Sequence, residues 1–300
     1  MTRYWPMLLL LAALWGASYL FIKVTVEDIQ PAPMMAVRTL LAAAVLLGYL
    51  SWRLGRTRAV ADLRAAWRHC AVLGVLNAAL PFWLIAWGEQ HIDSGLAAVV
   101  QASVPIFNAL ILLRVIPHER LTPTRALGLS IGIVGVAVVT GIHPSGGWWA
   151  IAGALAIVAS SLSYAGAGVY GQLAVSGTAG PVLAAGSMLV GGVILLPVAL
   201  FQLPSSAPDL EATASLLALT LLGTALAQLV LFRMLALHGS ARLSLVGYLI
   251  PGFALAYGAL ILDEQLTLST LGGLVLILGG VALASGAVRL RRRDVVLVRP

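Results

Sequence analysis

The sequence predicts an all-α integral membrane protein of ten transmembrane helices, arranged as two inverted five-helix repeats with both termini cytoplasmic. Three observations lead there. Apolar residues make up 60% of the 300 residues, charged residues 10%, and mean hydropathy is +0.99, which leaves too little polar surface to wrap a soluble globule. A stretch beginning at Ser94, SGLAAVVQASVPIFNALILLRVIPHERLTPTRALGLSIGIVGVAVVTG, returns from Ser240 as SARLSLVGYLIPGFALAYGALILDEQLTLSTLGGLVLILGGVALASG. The basic residues, finally, fall on alternate loops.

A span needs roughly 20 apolar residues. Cut at its charge and turn clusters, the chain yields such segments near 5–26, 33–52, 70–88, 94–114, 124–142, 148–172, 181–201, 212–233, 241–262 and 270–288. None alternates apolar and polar residues as a barrel strand would, and a helix satisfies its own backbone in lipid. The first segment follows Arg3 and could pass for a secretory signal, but its polar, aromatic interior makes it an uncleaved helix. In the second, Arg38 lies five residues beyond Pro33 and is expected to pair with Glu27 or Asp28 at the outer rim. The third carries Asn77 and Pro81 at i, i+4, and the fourth Gln101, Pro105 and Asn108 at i, i+4, i+7. Gly128 and Gly132 give the fifth a GxxxG, and Ala167 and Gly171 give the sixth a small-xxx-small pair, both patterns of close helix packing. The eighth offers Thr220, Thr224 and Gln228 at i, i+4, i+8, and the ninth Ser244, Tyr248 and Pro251 at i, i+4, i+7.

With the N-terminus inside, the inner loops collect Arg3, Arg53, Arg56, Arg58, Arg64, Arg68, Arg114, Arg120, Arg125, Arg233, Arg242, Arg289, Arg291, Arg292, Arg293 and Arg299, which is 16 of the 18 basic residues. Lys23 and Arg38 alone fall outside, with 8 of the 11 acids. That partition follows the positive-inside rule and requires an even number of spans. The net charge of +7 therefore reflects insertion and anionic lipid headgroups rather than nucleic acid. Cys70, the single cysteine, excludes an intrachain disulfide and a cysteine metal cluster, and no cofactor is implied.

The repeat registers at Pro105 with Pro251 (offset 146) and at Glu119 with Glu264 (offset 145). Five spans per copy, an odd number, put the copies in opposite orientations. The loop after Pro105, RVIPHERLTPTR, is basic, whereas its mate LDEQLTLS has lost every arginine and carries Asp263 and Glu264. The same unit has been recharged to suit opposite sides, as inverted-repeat transporters require. The predicted units are 1–147, 148–290 and a basic cytoplasmic tail, 291–300.

The segments ALWGASYLFIK and PAPMMAVRTLLAA, the stretch LLGTALAQLVLFRMLALHGSARLS, and the two Pro…Glu-x-Leu-Thr…Gly units resemble the EamA-type branch of the drug/metabolite transporter superfamily over nearly the whole chain. Within it the chain looks most like bacterial aromatic-amino-acid exporters. The loop LAVSGTAG departs from the pattern, lacking the basic residues usual there in relatives. The resemblance implies a multi-pass inner-membrane exporter with a central cavity between the repeats.

Polar and aromatic groups at mid-span must face protein or water. The cavity candidates are Trp15, Tyr19, Asn77, Gln101, Asn108, Tyr164, Gln228 and Tyr248, and the hinge candidates are Pro81, Pro105 and Pro251, which each remove a backbone hydrogen bond. Amides inside bundles also tie neighbouring helices, so interhelical bonding is the competing role. Tyr4, Trp5, Tyr49, Trp52, Trp67, Trp148 and Trp149 read as interface anchors. No carboxylate or histidine falls at predicted mid-depth, and Glu89, Glu119, Asp263 and Glu264 end spans. The expectation is an uncharged cavity and facilitated or weakly ion-coupled export of small metabolites, foremost zwitterionic amino acids including aromatic ones. The partners are that substrate and the lipid bilayer, the oligomeric state is open with a monomer plausible, and no nucleic acid is bound. The alternatives are a multidrug or other metabolite exporter of the same superfamily and a passive solute channel. An enzyme would need a nucleophile with its base, or a metal pair, within the spans, and the sequence has no His-Glu-x-x-His or Gly-x-Ser-Gly.

Overall fold

The computed structural model describes residues 4–116, 121–141 and 147–285. His118, Glu119, Arg120, His143 and the tail 291–300 lie outside them, as does the end of the second predicted unit beyond Ser285. All regular elements among the described residues are helical. They are α1 (Tyr4–Thr25), α2 (Pro31–Leu54), α3 (Arg56–Ala65), α4 (Trp67–Leu73), α5 (Leu80–Glu89), α6 (Ser94–Gln101), α7 (Val104–Val115) and α8 (Pro123–Gly141), followed by α9 (Gly147–Ala174), α10 (Gly180–Phe201), α11 (Leu210–Thr220), α12 (Ala227–His238), α13 (Ser240–Leu243), α14 (Val246–Ile261) and α15 (Leu268–Ala284).

Eight stretches are long and apolar enough to cross a membrane: Tyr4–Thr25, Pro31–Leu54, Trp67–Glu89, Ser94–Val115, Pro123–Thr140, Gly147–Ala174, Gly180–Phe201 and Leu210–His238. The last two apolar helices, α14 and α15, are shorter, at 16 and 17 residues. The segment predicted over 241–262 is shortened by a break at Ser244 and Leu245, between α13 and α14. A similar break at Ala102 and Ser103 separates α6 from α7. The basic loop after α2 is itself helical: α3 carries Arg56, Arg58 and Arg64 on a mostly exposed surface, with an Arg58–Asp62 pair at 4.0 Å.

Two of the long stretches are interrupted by a π-helical turn, Gly74–Ala79 between α4 and α5 and Leu221–Leu226 between α11 and α12. Their starting residues are 147 apart (221 − 74), close to the sequence offset of the repeat. A π turn takes in one extra residue and turns the face of the helix beyond it.

The main packing contacts join helices before residue 142 to helices after 146: α1 lies along α14 and α11, α2 along α10, α5 and α7 along α9, α6 against α14, and α8 along α15. The α8–α15 seam is built on glycine. A Cβ added to Gly280 would lie 2.5 Å from both the Gly128 carbonyl oxygen and the Gly132 nitrogen, so the predicted GxxxG sets a backbone-to-backbone approach. Of the other small-residue pair, Gly171 faces open space and Ala167 is buried.

Residues predicted for one side of the membrane meet at one end of the bundle. Asp28 Oδ2 accepts from Asp209 N at 2.7 Å, and Lys23 Nζ donates to the carbonyls of Glu89 and Ile92 at 2.8 and 2.9 Å. At the opposite end Tyr4 Oη donates to the Arg242 carbonyl at 3.1 Å.

Candidate functional site

Arg38 organises the interior. Rather than reaching the rim, its side chain is 5% exposed, donates from Nε to Thr224 Oγ1 at 2.9 Å and lies over the Phe82 ring at 3.9 Å from the centroid. A third contact, at 3.7 Å, runs from Nη1 to Met35 Sδ. The expected pairing with Glu27 or Asp28 is not made, because Asp28 is engaged by the backbone where α11 begins. The expectation of an uncharged interior fails with it: a guanidinium without a carboxylate partner sits among the helices. Tyr19 of α1 and Tyr164 of α9 lie near Arg38, and the Tyr164 ring stands 6.5 Å from Phe82. Thr224 is the central residue of Leu210–His238 and belongs to its π turn. Thr224 Oγ1 donates to the Leu219 carbonyl, five residues back, at 3.0 Å.

The sequence-predicted residues divide into two groups. Tyr19 and Tyr164 join the Arg38 cluster. Gln101 and Asn108 face α9: Gln101 Oε1 accepts from Ser160 Oγ at 3.2 Å while its Nε2 is buried without a partner, and Asn108 Nδ2 would lie 3.1 Å from a Cβ on Gly168. Asn77 sits in the first π turn, half-buried, next to Leu76, whose carbonyl accepts from Ser163 Oγ at 2.8 Å. Ser160, Ser163, Tyr164 and Gly168 thus form one polar face of α9, spaced i, i+3, i+4, i+8.

Trp15 instead packs in a separate core between α1, α12 and α14, around Leu8, Leu11, Met234 and Val246. Half-buried Gln228 lies just past the second π turn, and Tyr248 packs against the main core from α14. Among the proline candidates, Pro81 follows the first π turn, Pro105 follows the α6–α7 break, and Pro251 is buried inside α14. Pro81 and Pro105 stand beside a discontinuity of their segments, whereas Pro251 lies within a continuous helix. A hollow of about 370 Å³ lined by Tyr49, Gly180, Phe232 and Arg233 is distant from Arg38: eleven residues along α2 are about 16 Å. It is not part of the cluster.

Two acidic residues read from the sequence as span ends have defined places. Glu264 accepts from the amides of Ser94 and Gly95 at 2.7 and 2.9 Å, capping α6 where the side chain of its own N-cap, Asp93, makes no bond. Asp263 takes a left-handed φ of 55° to turn that carboxylate inward. Glu89 is 0% exposed, and neither carboxylate oxygen has a hydrogen-bond partner. Outside the spans, His91 stacks on Trp149 at 5.2 Å and meets Trp87 edge-on at 4.7 Å, and burial, with the nearby Lys23 charge, pushes its imidazole below the ordinary range.

Sequence reasoning missed Arg38, Phe82 and Glu89 as interior groups. For Arg38 the signal was available, since a lone arginine eight residues into an apolar helix is costly unless it faces protein.

A family model, the EamA-like transporter family, matches the chain twice, over residues 3–141 and 151–286. The chain belongs to this family. Curated relatives include the uncharacterized inner membrane transporter YedA of Escherichia coli, 34% identical over 61% of this chain and 57% of that protein. A probable amino-acid metabolite efflux pump of Salmonella typhimurium is 25% identical over 95% of both chains. A solved crystal structure superposes with a TM-score of 0.64 over 96% of this chain and 98% of that one, at 20% identity, which shows a shared fold. The chain is a multi-pass inner-membrane protein of the drug/metabolite transporter superfamily, and the residues gathered around Arg38 are the interior polar groups of a membrane transporter.

Proposed function

We propose that the chain exports amino acids, aromatic ones included, by alternating access at a cavity between two inverted five-helix repeats, 1–147 and 148–290. In this reading ten spans cross the membrane, α13–α14 together make the ninth, and both termini, with the tail 291–300, lie in the cytoplasm. Transport is facilitated or weakly ion-coupled, and no catalysis is involved. The repeat-spaced π turns and the meeting of outer-side residues at one end of the bundle support that arrangement.

Arg38 carries the substrate assignment. A buried guanidinium without a carboxylate partner, above an aromatic ring and beside two tyrosines, offers charge-assisted donors to a carboxylate and flat surfaces to a side chain. Tyr19, Tyr164 and Phe82 form the aromatic wall, with Asn77, Gln101, Asn108, Gln228 and Tyr248 along the path and Pro81, Pro105 and Pro251 as hinges.

The test is counterflow in liposomes. Purified protein is reconstituted with unlabelled phenylalanine, tryptophan, threonine or methionine inside, and uptake of labelled phenylalanine is followed. Acceleration by preloaded amino acid that saturates with concentration is the expected result. Non-saturable flux would mean a channel. Failure of every amino acid to exchange would leave another metabolite or a drug as the cargo.

A further inference from the structure

We infer that Glu89 is a proton-carrying site whose proton is exchanged for the substrate's ammonium group. This deepens the amino-acid reading and selects its weakly coupled form. The argument starts from the carboxyl group itself. Glu89 closes α5, is wholly buried, and has no hydrogen bond to either side-chain oxygen. An ionised carboxylate left so in a low-dielectric interior costs several kcal/mol, and a proton removes that cost.

The surrounding charges do not supply a partner. From α1, Lys23 directs its ammonium to the backbone carbonyls of Glu89 and Ile92 rather than to the carboxylate. From α2, Arg38 is engaged by Thr224 and Phe82. Glu264, beyond α14, adds a like charge while bonded to the α6 amides. Tyr19 on α1 lies near Glu89, and α9 sets Gly153 and Ile157 against neighbouring Gly88. His91 and Asp93 follow in the turn to α6, with the His91 ring turned to Trp149 and Trp87. Glu89 and Arg38 lie near one another without pairing.

Arg38 lies over Phe82, and Glu89 stands seven residues beyond Phe82 on α5, about 10 Å along the helix; a zwitterion held between them would place its carboxylate at Arg38 and its ammonium at Glu89. A proton and an ammonium group compete for one carboxylate, so binding substrate breaks the Glu89 O–H bond and releases the proton to water. Dissociation of substrate on the other side lets the carboxylate take a proton from that solution. Protons and amino acid therefore move in opposite directions. Exchange of amino acid for amino acid needs no gradient, and a pH gradient biases net flux.

Three measurements on the reconstituted full chain test this. Infrared difference spectra of wild type and Glu89→Gln at neutral pH should show a protonated carboxyl carbonyl band in wild type that the variant lacks. Adding phenylalanine should then release about one proton per wild-type protein, read with a pH dye, and none from Glu89→Gln. With the membrane potential clamped, a pH gradient should speed net phenylalanine flux several-fold in wild type. Exchange by Glu89→Gln should be weaker and indifferent to pH, while Glu89→Asp recovers part of the pH response. Absence of the infrared band, or a pH response surviving in a folded Glu89→Gln protein, overturns the inference. If no amino acid exchanges but the band is present, the substrate reading fails and the proton site stands.

Discussion

In the proposed reading Arg38 makes the interior of this transporter selective, and the chemistry of its guanidinium makes that reading testable. If it holds a carboxylate through two parallel hydrogen bonds, lysine keeps the charge and loses the fork. Arg38→Ala should abolish phenylalanine counterflow, and Arg38→Lys should raise the half-saturating concentration about tenfold or more, the loss corresponding to one charge-assisted hydrogen bond of about 1.5–3 kcal/mol. Glu264 sets a second expectation. Replacing it with Gln should lower thermal stability in detergent by about 1–2 kcal/mol, the range of a charged helix cap. Asp263→Val should be worse than Asp263→Asn, because a β-branched residue resists the left-handed φ. For His91, burial holds the folded value below the unfolded one. The folded protein then binds fewer protons, so this contribution is complete above about pH 6.5 and declines as pH falls through that value. The unfolding temperature should drop on acidification, and less so for His91→Gln. Tyr19 and Tyr164 were legible as candidates because aromatic groups deep in a span stand out. The facing of Arg38 and the solitude of Glu89 were not, since both depend on which helices surround them.

Among the elements, the apolar segments were readable to within a few residues because length and hydropathy alone define them. The breaks were only half readable. Pro81 and Pro105 stand beside discontinuities while Pro251 does not, and the π turns themselves, GVLNAA and LLGTAL, contain no proline. Their effect is to bring Asn77 and Thr224 to mid-span. Deleting one residue from a π turn, for example Leu222, would restore α-helical register and rotate α12 relative to α11 by about 100°. Such a deletion should expose half-buried groups and destroy transport while leaving helix content by circular dichroism unchanged. The α8–α15 seam gives a cleaner test: Gly280→Leu forces a side chain between two backbones and should cost about 1–3 kcal/mol or more, whereas Gly171→Leu, facing open space, should be nearly neutral. Chymotryptic resistance of the purified proteins separates the two.

For the whole molecule, the charge partition and the duplication lead to the proposed inverted-repeat architecture, because side-specific loops and an odd-span repeat reconcile them, and the main contacts among the described residues join helices before residue 142 to helices after 146. The topology is open to a direct check in a cysteine-free background, Cys70→Ala. Arg58→Cys and Glu211→Cys, both exposed, should react with a membrane-impermeant thiol reagent from opposite faces of sealed spheroplasts and inverted vesicles. Reaction of both from one face would rule out the ten-span arrangement. The glycine contact between α8 and α15 also has a mechanical meaning. With no side chains between their backbones there is nothing to repack, so this pair cannot slide without prising its own peptide groups apart. In the proposed alternating-access cycle it serves as the stator, the fixed mark from which spectroscopic distances to every other helix are best taken.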